Sequence, residues 1–254
     1  MTEAWTQAAR SRPGLGRLLP LGGPRDGTWI TEQAAVQVLG RTAAEVPGVR
    51  LESLRIGSAP LQPVSEPAVR PPAGALPPGP LTIEAAFTAS LVRPLPETAD
   101  ELRTTLLGAA AERLGLDTVT ADMRVTDVGE APEAGATSGT AATDMRPTPE
   151  AEAARNSLPV TGTGPVRGLA GELAAVAAGV PGVARLTAVL GSRPVRVEDH
   201  DDPPGRHIEV HLAIGPGHHP LKVARAVREA VAEAAGTDTP GPATVAVLIT
   251  ETAA

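Results

Sequence analysis

The chain has 254 residues, 42% of them hydrophobic, but its only aromatic side chains are Trp5, Trp29 and Phe87. Its formal net charge of −7 argues against binding a nucleic acid through bulk electrostatics, because nucleic-acid-binding proteins present basic faces that release phosphate counterions. It has no cysteine, which excludes disulfides, thiolate nucleophiles and cysteine-based metal sites, and no run of about 18 apolar residues that would cross a bilayer.

Composition and the first residues predict a bacterial protein of the cytoplasm. The 22 basic residues include a single lysine, Lys222, and Ala, Gly and Pro are abundant, a bias typical of GC-rich genomes of actinobacterial type. The first residues, MTEAWTQAARSRPG, lack the positive and then apolar order of a signal peptide. We therefore expect a cytoplasmic location.

Residues 1–27 are rich in Gly, Pro and Arg, which predicts a flexible N-terminal tail. From residue 28 an amphipathic helix is predicted, ending at Pro47-Gly48, with its apolar face made by Val36, Leu39, Ala43 and Val46. The rest of this half is predicted as a strand over 49–56, a loop with eight prolines over 58–80, a strand over 81–92, a helix over 97–114 and a closing strand over 117–128.

Residues 129–165 lack periodicity and are predicted to form a disordered linker. The remaining elements are predicted as a helix over 166–183, strands over 184–190, 194–198 and 206–215, a helix over 220–236 and a strand over 243–252. Strict alternation of Ile208, Val210, Leu212 and Ile214 predicts a strand with one apolar face.

The two halves share an order of elements and a tetrapeptide, which predicts an internal duplication. Val46-Pro47-Gly48-Val49 matches Val180-Pro181-Gly182-Val183 at an offset of 134 residues, and Ile83-Glu84 matches Ile208-Glu209 at an offset of 125. The offset changes mainly where the Pro-rich loop lies. We therefore expect an α+β fold of two tandem two-layer α/β units, at 28–128 and 166–254, each a small sheet with two helices on one face.

This order of elements resembles the alkaline shock protein family, also called the general stress protein family. The segment AAEVPGV at residues 43–49 matches the end of the opening helix of that family. Residues 222–231 resemble its second helix, and residues 245–251 resemble its final strand. The chain departs from the family in carrying two copies, in Gly179 where the first copy has Glu45, and in the prolines that replace a hairpin.

The resemblance implies a non-enzymatic interaction or scaffold protein of the bacterial stress response or of cell-envelope homeostasis, without a cofactor. A protein partner is expected; a membrane-anchored protein that holds the chain at the membrane periphery is one candidate, and self-association is another. Strand edges and polar sheet faces are the expected binding surfaces. Two tethered copies would raise avidity through effective concentration.

The histidines form a cluster that offers an alternative function, a metal-binding or metal-sensing module over residues 200–219. All five lie in this segment: His200, His207, His211, His218 and His219. Alternation places His207, Glu209 and His211 on one strand face, which an antiparallel sheet normally exposes to solvent. Imidazole and carboxylate suit Zn, Ni or Fe. However, residues i and i+4 of a strand lie about 13 Å apart, so one ion would need a ligand from another element.

No arrangement of residues in the sequence points to catalysis. There is no G-x-S-x-G motif, and no P-loop surrounds Lys222. Glu84 and Glu209 are interpreted as surface partners of arginines, and Arg225 with Glu229 as an exposed i, i+4 ion pair. We therefore predict no enzyme activity and assign no catalytic, cofactor-binding or metal-ligating residue.

Overall fold

The computed structural model describes residues 16–60, 62–129, 168–188, 193–201, 204–236 and 241–252. Within these ranges it holds four α-helices and two sheets, which confirms the α+β class. Trp5 and the predicted linker from residue 130 onwards lie outside them. No helix in the described ranges is long and apolar enough to cross a membrane.

The elements closely follow the predicted ones from residue 49 onwards. In chain order they are β1 (Leu18–Pro20), β2 (Thr28–Thr31), α1 (Glu32–Ala43), β3 (Val49–Ser58), β4 (Leu81–Ser90), α2 (Leu95–Ala109), a π-helical turn (Ala110–Leu114), β5 (Thr118–Gly129), α3 (Leu169–Ala178), β6 (Val183–Leu186), β7 (Val195–Asp201), β8 (Pro204–Ile214), α4 (Pro220–Ala235) and β9 (Ala243–Thr252).

The strands form one large and one small sheet. The large sheet has the order β1-β2-β9-β8-β6, and β7 pairs with another stretch of β8. The small sheet has the order β3-β4-β5. The pairs β4–β5 and β8–β9 are parallel, each joined through a helix, and β2 also runs parallel to β9. Both halves thus contain a helix, antiparallel strands, a second helix and a parallel closing strand; their origin by duplication stays a prediction.

The chain before α1 differs from both predictions made for it. Residues 16–27 are not part of a flexible tail: β1 lies within them, and Leu18, Leu19 and Leu21 are buried. The helix begins at Glu32 rather than at residue 28, because residues 28–31 are extended and pair with β9 of the other half. The predicted tail and the first predicted unit therefore each contribute one strand, β1 and β2, to the sheet of the second unit.

The shared Val-Pro-Gly-Val segments end α1 and α3 as predicted. Gly48 has φ 76° and Gly182 has φ 94°, a left-handed conformation that glycine adopts without the steric cost of a Cβ. Each turn leads directly into the next strand, β3 or β6.

The main core is continuous across both halves. Helices α1 and α2 cover one face of the small sheet and α3 and α4 one face of the large sheet, with Leu39, Phe87, Leu106 and Val227 fully buried among them. Phe87 is the only aromatic side chain in this core, whose other members are mainly Ala, Val, Leu and Ile. The buried residues of both halves thus form one connected cluster, and the division into two tandem units stays a prediction.

Candidate functional site

The face of β8 that carries the histidines is covered, so its predicted exposure to solvent is wrong. His207 and His211 are each only 7% exposed. His211 Nε2 lies 2.6 Å from Glu209 Oε1, and His207 Nδ1 lies 3.1 Å from Thr244 Oγ1 on β9. The face opposite packs in the main core with Ile208, Val210, Leu212 and Ile214, as the alternation predicted.

The cover comes from the Pro-rich loop of the first half, residues 59–80, called here the strap. Val69 of the strap joins a second core with Leu18, Trp29, Ala246 and Leu248 on this face of the large sheet. The strap is held by backbone hydrogen bonds from Ala68 N to Pro24 O at 2.9 Å and from Leu76 N to Leu18 O at 2.8 Å. A segment predicted only as a loop is thus a structural layer over the large sheet.

Burial, hydrogen bonding and neighbouring charges shift the pKa values of two side chains on this face, Glu209 and His207. The hydrogen bond from His211 holds the pKa of Glu209 below its usual range. Burial lowers the pKa of His207; Arg70 of the strap and His200 add to that effect, and Glu209 and Glu198 oppose it. Arg70 and Glu198 form an ion pair at 3.4 Å, between strap and β7. His207 and Glu209 thus have polar partners on this face, whereas the buried atoms His211 Nδ1 and Trp29 Nε1 have no hydrogen-bond partner among the described residues.

The histidines do not converge on one point. His200 lies on β7, and His218 and His219 precede α4, away from the pair on β8. Among the residues that the structure describes, no group of three or more His, Asp or Glu side chains is placed to hold a metal ion. Asp202, an acidic residue within the 200–219 segment, lies outside the described residues.

An open cleft of about 490 Å³ lies between the two halves, beside the start of α4. Its polar lining consists of Arg41, Glu45, Glu112, Arg113, His218, His219 and Thr252. Arg113 pairs with Glu45 at 3.4 Å, and burial followed by the charge of Lys222 lowers the pKa of His219.

The outer face of the small sheet is open and charged. Arg55, Glu84 and Asp122 lie in one row across β3, β4 and β5, and all three are exposed. Arg124 on β5 is also exposed, and no other described residue forms an ion pair with Asp122 or Arg124. Within the part of the chain that the structure describes, no second layer covers this sheet as the strap covers the large sheet.

The edge of β5 is open along most of its length. This 12-residue strand pairs only with β4 in the described residues, and most of it is exposed. Arg103 Nε donates to Ala121 O at 3.1 Å. The large apolar side chains exposed on β5 and on the turn after β4 are Leu91, Val92, Val119, Val125 and Val128. An uncovered edge with apolar side chains is a typical site of strand addition.

The other sheet edges are shorter or blocked. On β3, Glu32 Oε1 accepts from Ile56 N at 3.0 Å, and Arg17 Nη1 donates to Ile56 O at 3.1 Å. β1 has three residues and bridges to Ala75 of the strap, while β7 ends in charged residues. The edge of β9 that corresponds to the open edge of β5 is filled by β2.

Two predicted ion pairs have different partners in the structure. Glu209 bonds His211 instead of taking an arginine as its first partner. Arg225 binds Asp26 rather than Glu229. Glu84 lies opposite Arg55 in the register of the β3–β4 pair, and its pairing with an arginine stays a prediction.

Comparisons with protein-family models, curated proteins and solved structures found no match for this chain.

Proposed function

We propose that the chain is a non-enzymatic interaction protein whose binding surface is the small sheet, with its charged outer face and the edge of β5. The observation that carries this proposal is the contrast between the sheets. The large sheet is covered by helices on one face and by the strap on the other, whereas the described residues cover only one face of the small sheet, with helices.

The cellular setting of the proposal rests on the resemblance to the alkaline shock proteins. Residues 43–49 and 222–231 carry that resemblance, and they lie at the end of α1 and within α4. We infer a role in bacterial stress response or cell-envelope homeostasis, in the cytoplasm, with a protein partner that includes membrane-anchored candidates. The net charge of −7 supports a protein rather than a nucleic acid as that partner.

Cross-linked capture from the native cells, with membrane and cytosolic fractions analysed separately, tests this function. Asp122→Arg alters the open edge, and Glu233→Arg, the same charge reversal at an exposed position of α4, is the matched control. We expect a specific partner that is recovered with the wild type and with Glu233→Arg but is depleted with Asp122→Arg. Recovery of the same proteins with all three chains would contradict the proposal.

A further inference from the structure

We propose that a second copy of this chain occupies the open edge of β5, pairing antiparallel about a two-fold axis at Met123. The pairing would join two small sheets into one continuous six-stranded sheet. It rests on the proposed function, because it names a partner for the same surface. A two-fold axis makes the interface self-complementary, as in most homodimers.

Charge complementarity argues for a second copy as the occupant. With Met123 opposite Met123 of the second copy, each Asp122 lies opposite an Arg124. Both side chains lie on the exposed outer face, and Asp122 already has the acidic Glu84 beside it on β4. Like charges side by side are unfavourable, and an arginine from across the new interface would offset them.

The same two residues select one register. A shift by two residues in one direction places Arg124 opposite Arg124, and in the other direction it places Asp122 opposite Asp122. A shift by one residue would place the apolar face of one copy's strand on the same side of the joined sheet as the polar face of the other's. Of these registers, only the one centred on Met123 places each Asp122 opposite an Arg124.

The core-side face of the strand is also compatible with this register. Ala121 lies opposite Val125 of the second copy, so a small residue meets a valine that is 36% exposed in the single chain. The Ala121 carbonyl now accepts from Arg103, which would yield that carbonyl to a backbone N–H of the second copy. Pairing therefore covers apolar surface and satisfies backbone groups together.

The fold itself shows an added strand at the corresponding position of the other half. There β9 follows β8 through α4, as β5 follows β4 through α2, and β2 pairs along the outer edge of β9. In the small sheet no described strand takes that place. The open edge of β5 thus corresponds to an edge that the large sheet fills.

Sedimentation or light scattering of the purified full chain over a concentration series provides the test. We expect a monomer–dimer equilibrium for the wild type. Asp122→Arg places four arginines at the two-fold, and Arg124→Asp places four aspartates there, so each should raise the dissociation constant by roughly tenfold or more. Glu233→Arg, which changes charge by the same amount as Asp122→Arg but lies on α4, should leave the constant unchanged.

Mixing the two variants gives a result that no general loss of stability would produce. A chain with Asp122→Arg and a chain with Arg124→Asp form only opposite-charge pairs in this register, so the mixture should form a heterodimer that neither variant forms alone. The double variant Asp122→Arg/Arg124→Asp should regain the homodimer. Absence of both rescues would overturn the register, even if each single variant weakened association.

A cysteine placed on the axis gives an independent readout, because the natural chain has none. Paired antiparallel residues have Cα atoms about 4.5–5.5 Å apart, within the range that a disulfide spans. Met123→Cys should form a cross-linked dimer under mild oxidation, and Thr120→Cys, six residues from its own copy in this register, should not. Equal cross-linking of both would contradict the two-fold axis at Met123.

The outcomes separate this inference from the proposed function. A chain that remains monomeric at every concentration overturns the dimer. If Asp122→Arg nevertheless depletes a different captured protein, the small sheet is still the binding surface, and the second copy is the wrong occupant. If the chain dimerises through another surface, with all β5 variants unaffected, the inference fails.

Discussion

Arg225 on α4 donates two hydrogen bonds to the carboxylate of Asp26, from Nε at 2.7 Å and from Nη2 at 2.9 Å. Asp26 Oδ2 also accepts from Gly23 N at 2.7 Å, so one carboxylate both closes the turn between β1 and β2 and fastens it to α4. The two residues are 199 positions apart in the chain. This ion pair therefore ties the N-terminal strands to the second half of the molecule.

Replacing Asp26 with alanine should lower the free energy of unfolding by about 1–2 kcal/mol, because it removes charge-assisted hydrogen bonds to a partly exposed arginine. Arg225 holds the pKa of Asp26 below its usual value. Its contribution is therefore present above a pH of about 4 and is lost as the pH falls through the lowered pKa. Urea unfolding of Asp26→Ala beside Glu229→Ala tests this. If Glu229→Ala lowered the free energy of unfolding as much as Asp26→Ala, the assignment of Asp26 as the partner of Arg225 would be contradicted.

The buried His207 should make the protein less stable on mild acidification. Because burial lowers its pKa in the folded state, the unfolded chain binds the proton more readily, and stability falls as the pH drops below about 6.5. The pKa of Glu209 is also lowered in the folded state. Its contribution to stability is lost in a separate pH range, below about 4.5. His207→Gln keeps a polar group beside Thr244 but does not titrate. We expect the urea midpoint of His207→Gln to fall less between pH 7.5 and 5.5 than that of the wild type. An equal fall in both proteins would show that protonation of His207 is not the cause.

Alanine substitutions at three glycines should separate backbone strain from steric overlap. A Cβ at Gly182 would lie 2.6 Å from Val223 Cγ2 and 2.8 Å from His218 Cδ2, whereas at Gly48 the nearest atom, Ser90 Cβ, is 3.2 Å away. Both glycines have positive φ. We expect Gly48→Ala to cost about 1–2 kcal/mol for the left-handed backbone alone, and Gly182→Ala to cost about 3 kcal/mol or more.

Gly108 is the matched control for this pair. It lies within α2, and no neighbouring atom is within 4 Å of the place that an added Cβ would take, so Gly108→Ala should stabilise the protein by about 0.5–1 kcal/mol. Thermal unfolding of the three variants shows the order of their stabilities, which we expect to fall from Gly108→Ala through Gly48→Ala to Gly182→Ala. A smaller loss for Gly182→Ala than for Gly48→Ala would show that the contacts around Gly182 relax.

The strap offers its own internal comparison, since it carries one buried and one exposed valine. Val69 is 3% exposed and packs beside Trp29, whereas Val64 is 59% exposed. Val69→Ala should cost about 2 kcal/mol, from the apolar surface lost and the space left behind, and should speed proteolytic cleavage within residues 59–80. Val64→Ala should change neither stability nor cleavage. Equal cleavage rates for both variants would show that Val69 does not fasten the strap.

Local patterns were sufficient to predict most of the elements. The period of the apolar residues placed β8, β9 and α2 with its π-helical turn within two residues of their observed ends, because each has one face that packs in the main core. The Val-Pro-Gly-Val segments marked two helix ends because glycine takes a left-handed conformation there. These features depend on residues near one another in the chain.

The errors concern contacts between residues distant in the chain. Nothing local shows that residues 28–31 would pair with β9 rather than begin a helix, or that the strap would pack on the face of the large sheet that carries His207 and His211. Polar residues on a strand face normally indicate solvent, and here a proline-rich loop from the other half supplies the cover. The open edge of β5 left a weak signal, since Asp122 and Arg124 alternate with apolar residues along a predicted strand, but its exposure depends on what pairs beside it.

A photo-crosslinking amino acid placed on β5 tests the central claim, that the small sheet is the binding surface, most directly. It would replace Thr120 in the full chain within native cells, with Glu233, an exposed residue of α4, as the comparison position. We predict specific intermolecular products from position 120, whether with a second copy or with another protein, and few from position 233. Products from position 233 alone, or none from position 120, would contradict the account.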